Sequence, residues 1–243
     1  MRHTFRYAVD REAEPGEVVE LGDEDTHHLT RVVRRGAGDA CEVIDAAGRI
    51  WPAVVEDAGP PARVRLAAAP RAGAPPVPVD LFVGVADQGR LDTLVEKATE
   101  LGVARLTFFA SDRARRKADA GAFDGRRERW GRLTEAAARQ SGRGSRPQLA
   151  GLVPFSTMLD EISTRDAFLL DAAGEHGLGD TLRRRDPPSA AIVVGPEAGL
   201  TRDEVAQLCA AGAEPCSLAG ATLRTETAAI AAAAIAADHY GAG

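Results

Sequence analysis

The spacing of apolar and polar residues divides the chain into two parts with different patterns. In residues 1–70, three short stretches alternate with the period of two that is typical of half-buried strands: Glu17–Leu21, Cys41–Asp45 and Ala62–Leu66. Asp25–Val33 has the pattern of a short helix, and a turn follows at Arg34–Asp39. We therefore predict a small β-rich domain over residues 1–70.

A proline-rich segment follows this first part. The stretch Ala69–Pro78 contains four prolines and one glycine. Such a composition interrupts helices and strands and is typical of stiff connecting segments. We predict an inter-domain linker at residues 71–78.

From Val79 onwards, apolar strands alternate with amphipathic helices. The predicted strands are Val79–Val85, Arg105–Phe109, Ala167–Leu170 and Ala190–Val194. The predicted helices are Leu91–Leu101 before Gly102, Gly125 or Arg126 to Gln140 before Gly142, Thr201–Ala211 and Thr225–His239. Repeated strand–helix units favour a mostly parallel sheet covered on both faces. We predict one α/β domain over residues 79–243.

One segment of this second domain, Ile192–Glu204, has the strongest local signal. It reads as a buried strand, a Gly/Pro loop and a helix capped by Thr201, with Glu204 completing a capping box. A loop at the end of an apolar strand holds backbone groups in fixed directions, as small-cofactor sites require. The later segment Ser217–Thr227 has the same loop-then-helix character. We predict one cofactor pocket built from two loops.

Composition places the chain among ordinary globular proteins. Its 243 residues are 44% apolar and 27% charged, and no apolar run approaches the ~20 residues that span a bilayer. Met1–Arg6 lacks the apolar stretch of a signal peptide, so we expect a cytoplasmic location. The three cysteines form no CxxC pair. We expect them to be reduced and structural, with neither a disulfide framework nor a zinc site.

Positive charge is concentrated in one segment of an acidic chain. The net charge is −6, but residues 105–147 contain 12 Lys/Arg against 5 Asp/Glu, a local charge of +7. A solvated helix face and a phosphate-binding surface explain such a segment equally well. Both interpretations stay open.

Common α/β motifs are absent from the sequence. No G-x-G-x-x-G follows the first predicted strand, and there is no P-loop or nucleophile elbow. No His/Asp/Glu cluster suggests a catalytic metal. The residues alone therefore indicate an α/β enzyme with a cofactor pocket late in the chain, a basic segment and an added β-rich domain.

A set of motifs nearly end to end resembles the RsmE family of small-subunit rRNA (uracil-N3)-methyltransferases, within the SPOUT superfamily. In the first domain they are His28, Leu29, Arg31, Val33, Arg34, Gly38 and Asp39. In the second they are Glu96–Val103, Ser111–Arg113, Arg129, Trp130, Glu135–Arg143, Pro147, Gly195–Leu200 and Leu223–Ala228.

The resemblance implies a fold, a reaction and partners. It implies a PUA-like RNA-binding β-barrel followed by a SPOUT α/β domain with a C-terminal trefoil knot. The reaction would be transfer of a methyl group from S-adenosyl-L-methionine (SAM) to N3 of one uridine in 16S rRNA of the small ribosomal subunit. A homodimer is implied, and no metal is required. Because uracil N3 must lose a proton, the site needs a base or a cation that stabilises the anion.

The resemblance also assigns roles to individual residues. The SAM pocket would include Leu170, Gly195, Pro196, Glu197, Gly199, Leu218, Leu223, Arg224 and Thr225. The catalytic candidates are Arg224, Glu226 and Arg113. The RNA contacts would be Arg2, Arg6, Arg31, Arg34, Arg113, Arg139 and Arg143.

Structural roles compete with several of these assignments. Glu226 is either a base or a carboxylate that stabilises the helix dipole by ~0.3–1 kcal/mol. Arg224 contacts phosphate, stabilises the uracil anion or clamps a carboxylate. Arg139 and Arg143 contact RNA or complement a helix C-terminus, and His28 is expected to serve the fold of its domain.

Two further functions stay open beside the uridine methyltransferase. One is a SPOUT methyltransferase that acts on another RNA position, such as a ribose 2′-oxygen. The other is a non-catalytic RNA-binding factor of ribosome assembly. The second is suggested by Leu218–Arg224, which departs from the family pattern Leu-Gly-Pro-Arg-Ile-Leu-Arg at residues 219–222, so that a proline and an arginine are lost.

Overall fold

The fold is described from a computed structural model, which covers residues 5–71, 76–85, 90–113, 120–218 and 222–241, apart from the side chains of Ala120 and Ala122. These residues form two compact units. The first comprises the described residues up to 71 together with Ala138–Ser145, and the second comprises the rest.

A five-stranded sheet forms the first unit. Its strands are β1 (Arg6–Ala8), β2 (Val18–Glu20), β3 (Ala40–Ile44), β4 (Ile50–Asp57) and β5 (Arg63–Leu66), in the order β1-β3-β4-β5-β2. The β1–β3 pair is parallel and the other three pairs are antiparallel. Helix α1 (Asp23–His27) continues into one π-helical turn, His28–Val32. In the described part, no ladder joins β1 to β2.

One apolar core lies against this sheet. Leu29, Val43 and Val64 are fully buried in it, and Trp51 is 1% exposed. The His28 ring lies edge-on to the rings of Phe5 and Tyr7, at 5.9 Å from each. His28 therefore serves the packing of its domain, as expected. Burial raises the pKa of Tyr7 to about 12.

Asp45 organises the turn between β3 and β4. Its fully buried carboxylate accepts hydrogen bonds from the indole of Trp51 (3.0 Å) and from Nε of Arg49 (2.7 Å). It also accepts from the backbone N–H groups of Ala13, Ala47 and Arg49. Burial alone favours the neutral acid, but these hydrogen bonds outweigh burial and lower the pKa of Asp45.

A seven-stranded sheet forms the second unit. Its strands are β6 (Val77–Gly84), β7 (Val103–Ala110), β8 (Gln148–Pro154), β9 (Ala167–Leu170), β10 (His176–Gly177), β11 (Ala190–Val194) and β12 (Glu214–Ser217). Their order is β10-β12-β9-β11-β6-β7-β8, and every recorded pair is parallel. The predicted parallel sheet is confirmed.

Helices accompany these strands along the chain. They are α2 (Leu91–Glu100), α3 (Ala120–Asp124), α4 (Arg127–Ser141), α5 (Phe155–Ile162), α6 (Leu178–Arg185), α7 (Arg202–Ala210) and α8 (Thr225–Gly241). None of the described helices is long and apolar enough to span a membrane.

Both faces of the parallel sheet are buried at its central strands. Along β11, Ile192 and Val194 point to one apolar cluster and Ala191 and Val193 to another, because side chains alternate along a strand. Residues of α2, α6 and α8 belong to the first cluster, and residues of α5 and α7 belong to the second. This double burial explains why the sequences of β9 and β11 are continuously apolar.

The structure corrects several predictions about individual elements. β6 begins at Val77 and so includes the last two residues of the predicted linker. The short helix predicted at Asp25–Val33 starts earlier, at Asp23, and its second half is π-helical. The sequence predicted no element for β1, β4, β8, β10, β12, α3, α5 or α6. These are short, or carry a proline, or, like β8, have no fully buried face.

Candidate functional site

A cavity of about 380 Å³ lies at the carboxyl edge of the parallel sheet. It is formed where three adjacent strands, β12, β9 and β11, end. Crevices at this edge are where open α/β sheets bind small ligands. The volume falls within the roughly 300–1,000 Å³ typical of small-molecule sites.

The loop after β11 forms one wall, and its shape depends on the ends of two elements. A Cβ added to Gly84, the last residue of β6, would lie 2.5 Å from both Cδ and N of Pro196. Only glycine allows this loop to approach the neighbouring strand so closely. At the other end, Thr201 caps α7, and Glu204 completes the predicted capping box. Gly199 has a φ of 70°, which favours glycine.

The start of α8 is fastened to this loop. The Thr225 hydroxyl donates to the Gly195 carbonyl at 3.1 Å, and Thr225 is 4% exposed. The residues just before it, Thr222 and Leu223, line the cavity together with Leu218 at the end of β12. The two predicted loops therefore meet at one cavity. Residues 219–221, where the second loop loses the proline and an arginine of the family pattern, lie outside the described residues.

A third loop, which was not predicted as a wall, completes the cavity. Asp171 and Ala172 follow β9 directly and line the cavity. The Asp171 N–H donates to the Cys216 carbonyl at 3.0 Å. A Cβ on Gly174 would lie 2.6 Å from the backbone carbonyl carbon of Cys216 and the backbone nitrogen of Ser217, so this loop passes very close to β12.

Eight of the nine residues predicted for the SAM pocket line this cavity: Leu170, Gly195, Pro196, Glu197, Gly199, Leu218, Leu223 and Thr225. The ninth, Arg224, is exposed and does not line it. The lining residues that were not predicted are Asp171, Ala172, Val194, Leu200, Val205, Thr222 and Ala228. Most of them are next to a predicted residue in the sequence, and this proximity is the sequence signal that could have identified them.

The side chains in this cavity suit a cofactor with an apolar ring and a positively charged end. Leucine, valine and alanine side chains supply apolar walls, while Asp171 and Glu197 supply carboxylates. Backbone groups of the Gly195–Leu200 loop add hydrogen-bonding partners at fixed positions. SAM has a purine, a sulfonium and an amino-acid end with an ammonium and a carboxylate, so apolar walls, acidic side chains and backbone N–H groups together fit it.

Glu226 lies in the first turn of α8, and only one of its two carboxylate oxygens has a hydrogen-bond partner in the described residues. Its Oε1 accepts from Nη1 of Arg90 at 2.7 Å. Its Oε2 is buried and has no hydrogen-bond partner in the described part of the chain. Buried carboxylate oxygens are normally satisfied, and an exception calls for an explanation. Arg90 was not predicted, since no local pattern links residues 136 positions apart.

Arg113 lies three residues after the end of β7 and contacts the loop after β11. Its Nη1 donates to the Ala198 carbonyl at 3.0 Å. The preceding residue, Asp112, donates its backbone N–H to Oε1 of Glu204 at 2.8 Å. A second Glu204 oxygen, Oε2, accepts from the Thr201 N–H at 2.7 Å. Glu204 is 2% exposed.

The arginines predicted to contact RNA differ in how they are held. Arg6 donates twice to Oε2 of Glu42, and Arg139 pairs with Asp10 at 2.6 Å. Burial lowers the pKa of Arg143. Arg31 and Arg34 are exposed, and Arg34 adopts a φ of 54°. Arg2 lies outside the described residues.

Ion pairs with acidic side chains neutralise part of the positive charge of residues 105–147. Asp92 accepts from the Trp130 indole at 2.7 Å and pairs with Arg129 at 2.5 Å and Arg126 at 3.6 Å. Arg127 and Arg132 on α4 stay 75% exposed in weak pairs with acidic neighbours on the surface. No group of three or more potential metal ligands occurs in the described residues.

Comparison with known proteins gives these features a context. The family model of an RNA methyltransferase domain matches residues 74–237, and that of an RNA methyltransferase PUA domain matches residues 21–62. The ribosomal RNA small subunit methyltransferase E of Mycobacterium bovis is 30% identical over 230 residues, which are 92% of this chain and 87% of the relative. The protein of the same name from Synechocystis is 27% identical, over 92% and 74%.

A solved structure is similar over nearly the whole chain. It is the ribosomal RNA small subunit methyltransferase E from Neisseria gonorrhoeae bound to S-adenosyl methionine, with 25% identity, a TM-score of 0.70 and 96% of both chains covered. The match of the family models and the extent of these similarities leave one assignment. The chain belongs to the ribosomal RNA small subunit methyltransferase E (RsmE) family of RNA methyltransferases.

Proposed function

We propose that the protein transfers the methyl group of SAM to N3 of a uridine in 16S rRNA of the small ribosomal subunit. The observation that carries this proposal is the cavity at the carboxyl edge of the sheet, in a chain of the RsmE family. The relative from Neisseria gonorrhoeae, which has a similar fold, was solved with SAM.

The cavity residues would hold SAM mainly through backbone groups and apolar contacts. Leu170, Leu218 and Leu223 would enclose the purine, and Gly195–Gly199 would supply backbone hydrogen bonds. Asp171 and Glu197 would attract the positive charge of the cofactor. Bound SAM supplies a methyl group already activated by its sulfonium, so the chain itself must orient the uracil and remove the N3 proton.

We propose Glu226 as the acceptor of that proton. It directly follows Thr225, which lines the cavity, and one of its carboxylate oxygens has no partner in the described residues. A carboxylate needs a neighbouring donor to satisfy such an oxygen, and the imide N–H of uracil is one. Arg90 would hold the other oxygen through its hydrogen bond and so orient the carboxylate.

Arg224 would act on the nucleic acid from outside the cavity. It is exposed and sits between two cavity residues, Leu223 and Thr225. A guanidinium in this position would stabilise the uracil anion or bind the phosphate beside the target nucleotide. Its exposure argues against the alternative of a buried structural clamp.

The remaining RNA contacts would use arginines that the fold leaves exposed. Arg31 and Arg34 are the strongest candidates of the first unit, because Arg6 and Arg139 pair with carboxylates. Few aromatic side chains exist for base stacking, with an aromatic fraction of 5%. Recognition would therefore use phosphates and RNA shape.

Three expectations from the family resemblance extend the proposal. We infer a C-terminal trefoil knot from that resemblance. A crystal structure that traces the chain through residues 219–221 would test it. The homodimer rests on the family resemblance alone, and light scattering would test it. A cytoplasmic location follows from a ribosomal substrate.

Transfer of labelled methyl groups from SAM to purified small subunits, followed by mass mapping of nucleosides, tests the function. We expect label at N3 of one uridine. Glu226→Gln should reduce the rate by about 100-fold or more, as loss of a general base does, with SAM affinity nearly unchanged. Glu175→Gln, the same change at an exposed position, serves as the control.

Other outcomes of this assay point to the other two functions. Label at another atom, such as a ribose 2′-oxygen, would replace the uridine N3 assignment by another RNA position. RNA binding without any methyl transfer would indicate a non-catalytic assembly factor, and the proposed enzyme activity would then be wrong.

A further inference from the structure

Two carboxylates are the only charged side chains among the described residues that line the cavity at the carboxyl edge of the sheet. They belong to Asp171, directly after β9, and to Glu197, in the loop after β11. Arg113 and Arg224 lie on neighbouring segments, but neither of them lines the cavity. The described walls therefore carry negative charge without a lining cation to offset it.

Asp171 is held in place by backbone hydrogen bonds. Its N–H donates to the Cys216 carbonyl at 3.0 Å, and its carbonyl accepts from the Gly174 N–H at 3.0 Å. Its Oδ1 accepts from the Ala173 N–H at 2.8 Å, whereas its Oδ2 accepts no hydrogen bond from the described residues. The loop thus fixes the position of the Asp171 carboxylate and leaves one of its oxygens for a ligand.

Water screens the two carboxylates of the cavity to different extents. Glu197 is exposed, whereas Asp171 is partly buried. The attraction between opposite charges is stronger where the effective dielectric constant is lower, and exposed charges contribute little. We therefore expect Asp171 to attract a cation in the cavity more strongly than Glu197 does.

Under the proposed function, on which this inference rests, the cofactor loses one positive charge in the reaction. SAM and its demethylated product, S-adenosylhomocysteine, share an ammonium and a carboxylate, but only SAM has a sulfonium. When the methyl group moves to N3, the electron pair of the broken carbon–sulfur bond stays on sulfur. The product is then a neutral thioether. A fixed carboxylate in the cavity wall attracts SAM more strongly than it attracts this product.

We propose that Asp171 makes the cavity select SAM over S-adenosylhomocysteine. Its charge strengthens the binding of the cofactor that still has a methyl group to give. The product lacks the charge on which this attraction acts, so it is released more readily after each turnover. Asp171 is in this role a specificity-determining residue and has no part in removing the N3 proton.

The experiment is a calorimetric titration of the full chain with SAM and, separately, with S-adenosylhomocysteine. Asp171→Asn removes the charge but keeps a side-chain oxygen that can accept from the Ala173 N–H. We expect the variant to bind SAM less tightly and to bind the product with a much smaller change. The ratio of the two dissociation constants should shift about three- to tenfold in favour of the product.

A third ligand separates the effect of charge from the effect of size. Sinefungin carries a protonated amine in place of the methylsulfonium, so it has the positive charge without the methyl group. Asp171→Asn should weaken the binding of sinefungin about as much as that of SAM. If the variant weakens SAM alone, the side chain acts on the methyl group and the proposed charge selection is wrong.

Two matched variants test whether the position of the charge matters. Glu197→Gln removes the same charge from an exposed position in the same cavity, so its shift in the ratio should be smaller. Glu175→Gln removes a charge outside the cavity and should leave the ratio unchanged. Thermal unfolding checks that each variant is folded. If Asp171→Asn does not fold, Asp171→Ser, which also keeps an uncharged acceptor, takes its place.

The inference is overturned if the folded variant of Asp171 binds SAM and product with the ratio of the unmodified protein. A purely structural role predicts that result, because a damaged loop weakens both ligands equally. An equal shift in Glu197→Gln would also overturn it. Failure of the proposed function looks different, because the unmodified protein would then transfer no methyl group in the separate labelling assay.

Discussion

Asp45 shows how much of the first unit depends on a single buried carboxylate. Its oxygens bind the Trp51 indole, the Arg49 side chain and three backbone N–H groups, and so fix the turn between β3 and β4. These bonds favour the charged form and lower its pKa. A carboxylate in this position contributes stability only while it is ionised.

Asp45→Asn should destabilise the protein by about 3 kcal/mol, because an amide presents a donor where only donors surround it. The folded-state pKa of Asp45 is lowered, so its stabilisation is complete above the unfolded value near pH 4 and is lost as pH falls through the folded value. Urea unfolding between pH 7 and pH 2 measures both effects. A variant whose stability falls with acid as steeply as the parent's would contradict this role.

Gly84 is a second residue at which one added atom, a Cβ, would disturb the structure. Gly84→Ala would place a Cβ 2.5 Å from Pro196, so the cavity loop must move. We expect SAM affinity to fall about tenfold and stability to drop by about 1–3 kcal/mol. Titration calorimetry and thermal unfolding measure these changes. Gly131→Ala on α4, where a Cβ meets nothing within 4 Å, should leave SAM affinity unchanged.

At the scale of elements, the shape of the cavity depends on the hydrogen bond between the start of α8 and the loop after β11. The bond from the Thr225 hydroxyl to the Gly195 carbonyl is a direct link between the two loops. Thr225→Val preserves the shape of the side chain and removes the donor. We expect a loss of about 1 kcal/mol in SAM binding, measured by calorimetry. Thr227→Val on the exposed side of α8 is the matched control, and an equal loss there would contradict the anchor.

The sequence predicted some elements well because their burial is complete. Strands β9 and β11 were predicted with their observed ends, since both faces of each strand are apolar. The cap of α7 was also predicted, because Thr201 and Glu204 interact within one helical turn. By contrast, β12 contains Pro215 and β10 has only two residues, so neither sequence has a recognisable strand pattern. Both are strands because of the neighbouring strands with which they pair.

The same distinction applies to the candidate site. Loops that follow apolar strands were recognised as cavity walls, because strand ends are visible in a local pattern. The bonds from Arg90 to Glu226 and from Asp112 to Glu204 join residues 136 and 92 positions apart. No local pattern encodes such a pair, and only the fold brings its members together.

Over the whole molecule, the distribution of charge matters more than its total. A net charge of −6 repels RNA at long range, while residues 105–147 carry a local +7. Ion pairs with Asp92 neutralise part of this excess. The exposed arginines of α4 are among the side chains that can reach phosphates.

RNA affinity should therefore fall with salt, and the slope should depend on α4. Each phosphate contact contributes about −0.7 to −0.9 to the slope of log K against log salt. Arg127→Glu and Arg132→Glu should each make the slope shallower by about one contact. Arg183→Glu on α6 is the matched control, because Arg183 is 66% exposed and also has an acidic partner three residues away. An equal change in that control would contradict a specific role for α4.

The order of segments along the chain has a consequence for how the protein is made. One cavity wall, which includes Leu218, Thr222 and Ala228, leaves the ribosome long after β6, against which α8 packs. Contacts between segments so far apart in the sequence form late, because a long loop must close first, and they make folding slower. During synthesis, the apolar face of β6 therefore stays uncovered until most of the chain has been made. We expect nascent chains that stop before α8 to expose that face, to engage chaperones and to bind no SAM.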